Sequence, residues 1–77
     1  MHQIEAVPLE SSSLDCAGWS LGRLYIRFKT GTTYSYDNVP KNYLDTLKSV
    51  ESAGRFFSRF IRGHYHYTKM DKDPFTG

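Results

Sequence analysis

The sequence lacks a second cysteine and any long apolar run. Because Cys16 is the only cysteine, no intrachain disulfide can form, which excludes the disulfide scaffolds of small secreted proteins and predicts a reducing, cytoplasmic location. No apolar stretch approaches the roughly 20 residues of a membrane span, and residues 1–9 show no signal-peptide pattern. A chain of 77 residues also lacks room for a doubly wound sheet or a barrel, so the large enzyme folds are excluded.

Aromatic residues are abundant, at 16% of the chain, and they supply apolar area for a single small core. The charge is unevenly distributed. Residues 1–22 carry three carboxylates and no Lys or Arg, whereas residues 23–77 carry all 10 basic side chains and five acidic ones. This polarity suits a phosphate-rich partner, although a pI near 8.8 lies just below the basicity typical of nucleic-acid-binding domains.

Alternating apolar and polar residues predict a three-stranded antiparallel meander over about residues 12–39. The clearest alternation runs from Leu24 to Phe28, which indicates a strand with one face on the core. Gly31 suits the hairpin to a following strand rich in Thr and Tyr, and Leu21-Gly22 suits the turn from a weaker strand upstream.

After the meander, the apolar spacing becomes that of two helices, predicted over about 40–49 and 52–63. Ser52 is suited to cap the second helix and Gly63 to end it. Both apolar stripes need a surface to cover, so we expect an α+β fold in which the two helices cover one face of the sheet. Residues 1–67 are expected to form the domain and residues 68–77 a mobile tail. The predicted core is Leu24, Ile26, Phe28, Leu44, Leu47, Phe56, Phe60 and Ile61.

An ordered set of short motifs spans about residues 7–67. Its members are Ser12-Ser13-Leu14, Gly18-Trp19, Leu24 to Phe28, Gly31, Tyr34-Ser35-Tyr36, Val39-Pro40, Ser52-Ala53-Gly54, Phe56, Ile61-Arg62 and Tyr65. The set resembles the KTSC domain family, named after the C-terminal region of some lysyl-tRNA synthetases and found also as free-standing proteins of bacteria and phages. Trp19 departs from the tyrosine that the family usually has there. The resemblance implies the fold and, through the synthetases, suggests RNA binding.

Three arginines at i, i+4 and i+7 are predicted to share one exposed line of the second helix: Arg55, Arg59 and Arg62. Such a line either binds phosphates bidentately or is a solvated helix face, and the two interpretations are balanced. Further candidates for phosphate binding or base stacking are Lys48, Lys41, Arg23, Arg27, Tyr65, Tyr67 and Trp19.

Tyr34 and Tyr36 are two residues apart in a predicted strand, so their side chains share one face of the sheet. Such rings either stack on bases or pack beneath a helix with their hydroxyls at the edge. We favour packing, because the apolar stripes of the helices need an aromatic floor.

No pattern in the sequence predicts catalysis, a metal or a cofactor. His64 and His66 could chelate a metal only with ligands from the distant Cys16 and His2, whose spacing is wrong for a site. Cys16 is better explained as a small apolar residue than as a nucleophile, since no orienting third group is evident. We therefore expect a non-enzymatic protein with no cofactor and no metal.

Together these features predict a small non-catalytic module that binds RNA, or nucleic acid more broadly, through a basic helix face. The alternative is a protein-interaction module that docks on a host or partner protein, as a phage-encoded protein could do. Exposed aromatics and arginines fit that alternative too, because these residue types dominate interface hot spots. No membrane partner is expected.

Overall fold

The computed structural model describes residues 4–71 and 74–75. They form one antiparallel sheet in which strands that are neighbours in sequence are also neighbours in space, in the order β1 to β5. The strands are β1 Val7–Pro8, β2 Leu14–Ser20, β3 Arg23–Phe28, β4 Thr33–Asp37 and β5 Tyr67–Met70. Between β4 and β5 the chain forms helices α1 Asn42–Ser49 and α2 Ala53–Phe56, and a π-helical segment Phe57–Ile61. Among the described helices, none has the length and apolarity needed to cross a membrane.

The predicted α+β fold with an antiparallel sheet and two helices is confirmed, but the sheet has five strands instead of three. The predicted meander corresponds to β2, β3 and β4. Its turn at Leu21-Gly22 has the positive φ angles, 52° and 82°, of the two-residue hairpin that matches the twist of the strands. Both additional strands lie at the edges of the sheet, where β1 pairs with β2 and β5 with β4.

Part of the predicted mobile tail belongs to the fold. Residues 68–70 lie in β5, where Thr68 pairs with Ser35 and Met70 with Thr33 of β4, so the assignment of these residues to a tail was wrong. Phe75 is buried, and Ile4 forms an isolated parallel bridge with it. These contacts are made with residues far away in sequence, so the local composition does not reveal them. The other tail residues 72, 73, 76 and 77 lie outside the described residues.

The second helix begins as predicted but winds differently. The Ser52 hydroxyl accepts a hydrogen bond from the Arg55 N–H at 3.3 Å, which confirms Ser52 as the N-cap. After Phe56 the chain takes π-helical winding, and the Arg62 N–H donates to the Phe57 carbonyl oxygen, five residues earlier, at 2.9 Å. The first helix begins at Asn42, two residues after the predicted start at Pro40.

The apolar stripe of the second helix is two residues wide, and only half of it faces the sheet. Phe57 and Ile61 are buried, whereas Phe60 is 52% exposed. The prediction that Phe60 lies in the core was therefore wrong. Phe60 instead packs on Phe56, whose ring contacts Tyr43 of α1 with 5.7 Å between centroids.

The main core lies between the helices and one face of the sheet. Four residues of the predicted core are fully buried there, Leu24, Ile26, Leu47 and Ile61. The remaining predicted members, apart from Phe60, are partly buried against it: Phe28, Leu44 and Phe56.

A second, smaller cluster covers part of the opposite sheet face, which sequence analysis did not predict. It consists of Ile4, Cys16 and Phe75. Gly18 lies beneath it, and a Cβ there would collide with the Ile4 side chain and come within 2.9 Å of the Phe75 ring. The terminal segments thus pack directly against the backbone of β2 at this position.

Candidate nucleic-acid interface

A cleft of about 340 Å³ opens on the helix-covered face of the sheet, above β4 and β5. Antiparallel pairing builds its floor, because Tyr36 of β4 lies opposite Tyr67 of β5, and Tyr34 projects from the same face. The end of the second helix forms the opposite wall. The lining residues are Phe28, Tyr34, Tyr36, Phe57, Arg62, Gly63 and Tyr67.

The aromatic rings of the cleft pack mainly edge to face, a favourable arrangement for ring quadrupoles. Tyr34 contacts Tyr67 with 5.6 Å between centroids and 76° between planes, and Tyr36 contacts Phe57 at 5.5 Å and 76°. Exposure increases from the floor to the rim, since Tyr36 is 5% exposed and Tyr67 is 58% exposed. Tyr67 is therefore the ring that an incoming ligand meets first.

Tyr36 presents a neutral hydroxyl to this cleft. Burial, reinforced by the neighbouring Tyr34 and Tyr67, raises the pKa of Tyr36 to about 12, against an opposing effect of Arg62. Within the described part of the chain, no buried polar side-chain atom is left without a hydrogen-bond partner. The Tyr36 hydroxyl has no partner among those residues, so its oxygen lies at the surface of the cleft, where it can donate or accept.

The basic side chains of the second helix are exposed, as predicted. Arg55, Arg59 and Arg62 are all exposed, and none of the ion pairs within residues 4–71 and 74–75 involves them. Their guanidinium groups therefore have no internal carboxylate competing with an external anion there.

These arginines do not line one common surface groove, although three arginines in line on a straight helix would do so. Arg62 lies where the helix has ended, with φ −62° and ψ 123°, and it lines the aromatic cleft. Arg55 lines a separate shallow groove beside Phe56 and Phe60, and Arg59 lines neither. The spacing i, i+4, i+7 gives one line only on a regular α-helix, and the π-helical segment and the extended backbone at Arg62 break it.

The other basic candidates lie apart from the cleft. Arg23 and Arg27 project from the opposite face of the sheet, where their Nε atoms lie 3.4 Å from Asp37 and 2.9 Å from Asp15. They therefore do not extend the arginine surface. Lys48 is on α1, with its Nζ 3.7 Å from an Asp45 carboxylate oxygen, and Lys41 is exposed just before that helix.

Two of the predicted stacking residues are held by internal contacts. The Trp19 indole N–H donates to the Val39 carbonyl oxygen at 2.7 Å, and its ring packs against the main core. The Tyr65 hydroxyl donates to the Tyr43 hydroxyl at 3.1 Å, a hydrogen bond that raises the pKa of Tyr65. Of the three predicted stacking residues, Tyr67 alone is in the cleft.

Sequence analysis did not identify Phe28 and Phe57 as cleft residues, and it treated packing and stacking by Tyr34 and Tyr36 as alternatives. In the structure, the rings of these tyrosines pack in or against the main core and also line an open cleft. The signal that could have revealed the site is strand pairing, because Phe28 and Tyr34 lie on paired strands and their rings meet at 5.7 Å.

The residues considered as metal ligands are dispersed. Cys16 is buried in β2, while His64 and His66 are exposed after the second helix. Across residues 4–71 and 74–75, no three His, Cys, Asp or Glu side chains are grouped as a metal site requires. His2 lies outside these residues.

Comparison with known proteins shows similarity over most of the chain. Residues 10–65 match the model of the KTSC domain. A protein of Tsukamurella paurometabola is 37% identical over 60 residues, which span 75% of this chain and 90% of that protein. The crystal structure of a KTSC domain protein from Yersinia pestis has a TM-score of 0.77 and 31% identity, covering 87% of this chain and 97% of the other. A lysine–tRNA ligase of a Nostoc species is 32% identical over 47 residues, which are 61% of this chain and 8% of the ligase.

Proposed function

This chain belongs to the KTSC domain family, and on that basis we propose that it is a small non-catalytic module of the cytoplasm that binds RNA. The observation that carries the proposal is Arg62, an exposed guanidinium without an ion-pair partner in the described chain, at the rim of an aromatic cleft. The similarity to part of a lysine–tRNA ligase, a protein whose name specifies tRNA, supports RNA as the class of nucleic acid.

Phosphate binding is the interaction that the basic side chains support best. A guanidinium can bind two phosphate oxygens through parallel N–H donors, and such charge-assisted bonds are stronger than neutral ones. Arg55 in α2 and Arg59 in the π-helical segment are exposed as well. A nucleic-acid backbone that runs along the helix from Arg55 to the cleft would therefore meet several guanidinium groups.

The non-catalytic part of the proposal is supported by the separation of the reactive side chains. Cys16 is buried in β2. His66 lies against Asp37 at the end of β4, two strands away, with 3.4 Å between His66 Nδ1 and an Asp37 oxygen. A nucleophile and a base must be within hydrogen-bond reach of each other, so these residues do not form a catalytic pair.

The test is the affinity for a labelled single-stranded RNA, measured by fluorescence polarisation between about 50 and 200 mM salt. We expect log K to fall linearly with log salt, because phosphate binding releases counterions. Each of R55A, R59A and R62A should weaken binding and flatten that slope by roughly 0.7 per lost phosphate contact.

The matched control is R23A, which removes the same charge from the opposite face of the sheet, where Arg23 is paired with Asp37. It should leave the slope unchanged. An absence of binding by the unmodified protein even at low ionic strength would refute the proposal, and so would an equal loss in R23A.

A protein partner is the second candidate, and the exposed Phe60 favours it. Its ring packs on Phe56 with 5.0 Å between centroids, beside Arg55 in a shallow groove. A pull-down from a bacterial lysate, with and without nuclease, separates the two candidates. RNA that disappears on nuclease treatment supports the first, whereas a protein that survives treatment and is lost in F60S supports the second.

A further inference from the structure

The aromatic cleft combines two chemical features that correspond to the two parts of one nucleotide. It offers ring surfaces from Tyr34, Tyr67 and Phe28, and at its rim it offers the guanidinium of Arg62. Its volume of about 340 Å³ lies near the lower end of the roughly 300–1,000 Å³ found for small-molecule pockets. We propose that the cleft binds the base of one unpaired nucleotide while Arg62 binds the adjacent phosphate. This inference rests on the proposed RNA-binding function.

The charge at the rim decides between two classes of ligand that aromatic pockets bind. Clusters of aromatic rings often hold organic cations, which are attracted to the ring faces. Here the positive charge of Arg62 opposes a cation, and its influence reaches the floor of the cleft, where it acts to lower the pKa of Tyr36. A planar ligand attached to an anion matches both the rings and the charge.

The position of the cleft favours an unpaired base over a base in a duplex. The pocket lies between β4, β5 and the end of the second helix, so a base must leave its stack to enter it. Unpaired bases of single strands and loops are free to do so and commonly stack on aromatic side chains. The neutral Tyr36 hydroxyl at the cleft surface can then donate to or accept from the edge of the base.

The test compares two oligomers of equal length and charge, oligouridine and its abasic ribose-phosphate counterpart, by fluorescence polarisation at low salt. We expect the unmodified protein to prefer oligouridine by about 5- to 150-fold, the range given by a stacked base. This comparison needs no variant, so its result does not depend on how a substitution affects folding.

Variants then locate the preference. Y67V should abolish the difference between the two oligomers, because it removes the exposed ring while retaining a residue suited to strands. The control is T68V, the same new residue at the next position, whose side chain projects to the opposite face of β5. T68V should retain the preference, and R55A should weaken binding of both oligomers equally.

The outcomes separate this inference from the proposed function. Equal affinity of the unmodified protein for the two oligomers would overturn the base site and leave RNA binding through phosphates intact. A preference that persists in Y67V would overturn the location of the base site in this cleft. Absence of binding to either oligomer would refute the proposed function itself.

Discussion

The two halves of the helix-covered sheet face are built from different side chains. Over β2 and β3 the face is mainly aliphatic and closed, and Leu24 and Ile26 are each 0% exposed. Over β4 and β5 the face is aromatic and partly open, and Tyr67 is 58% exposed. The closed half is thus fully packed, while the other half keeps a ring accessible to a ligand.

The difference follows from where the second helix ends. Its last residue, Ile61, is buried in the main core, and Arg62 and Gly63 then lead the chain toward β5. No further helix follows before β5 in the described chain. The rings of β4 and β5 are therefore covered by the end of the second helix and are otherwise open. Edge-to-face packing stabilises these rings without closing the cleft.

The largest effect is expected from a substitution at a fully buried residue of the main core. I61A should lower the free energy of unfolding by about 2–5 kcal/mol, because it leaves a cavity beneath the helix. Urea denaturation followed by circular dichroism measures it. A loss below about 0.5 kcal/mol, the size of an ordinary surface substitution, would show that Ile61 does not pack in the main core.

A pH-dependent effect is expected in the open half. The folded state holds the pKa of Tyr36 near 12, above its ordinary value of 10.0, so ionisation of the hydroxyl destabilises the folded state. No stability is lost below pH 10, and the loss grows as the pH rises from about 10 through about 12. In urea titrations across this range, the unmodified protein should lose up to about 3 kcal/mol more than Y36F.

Y36F is its own control, since it keeps the ring and removes only the group that ionises. At neutral pH the two proteins should be nearly equally stable, because the Tyr36 hydroxyl has no hydrogen-bond partner in the described chain. Parallel curves for the two proteins between pH 10 and 12 would contradict the raised pKa of Tyr36.

The smallest effect on stability is expected from F60A, although Phe60 is the residue directly before Ile61. Because Phe60 is 52% exposed and lies on the outer side of the helix, the free energy of unfolding should fall by less than about 1 kcal/mol. Comparing the free energies of unfolding of F60A and I61A in the same urea titration tests which half of the apolar stripe faces the sheet. A loss in F60A as large as that in I61A would place Phe60 in the core.

The parts of the fold that depend on local pattern could be predicted from the sequence. The alternation at Leu24 and Ile26 identified a strand and its buried face, and Ser52 marked the start of the second helix. Strand β5 could not be found in this way, since its order comes from pairing with β4. The orientation of Phe57 and Phe60 also required the structure, because an apolar stripe two residues wide does not specify which side is covered.

The candidate site was predictable only in pieces. Arg62 and Tyr67 were identified as exposed candidates because their residue types suit phosphate binding and base stacking. Their juxtaposition with Tyr34 depends on the pairing of β5 with β4 and on the turn after the π-helical segment, neither of which has a local signature. Trp19, like Tyr67, was a stacking candidate because of its residue type. In the structure, however, its indole N–H donates a hydrogen bond to the Val39 carbonyl oxygen.

The most direct test of the difference between the halves is a map of backbone amide shifts by ¹H–¹⁵N NMR as oligouridine is added at low salt. The open half should respond, with the largest shifts at Tyr34, Tyr67 and Arg62, while the amides of β2 and the closed half remain in place. Shifts concentrated instead on the opposite face, around Arg23 and Arg27, or spread evenly over both halves, would contradict the assignment of binding to the aromatic cleft.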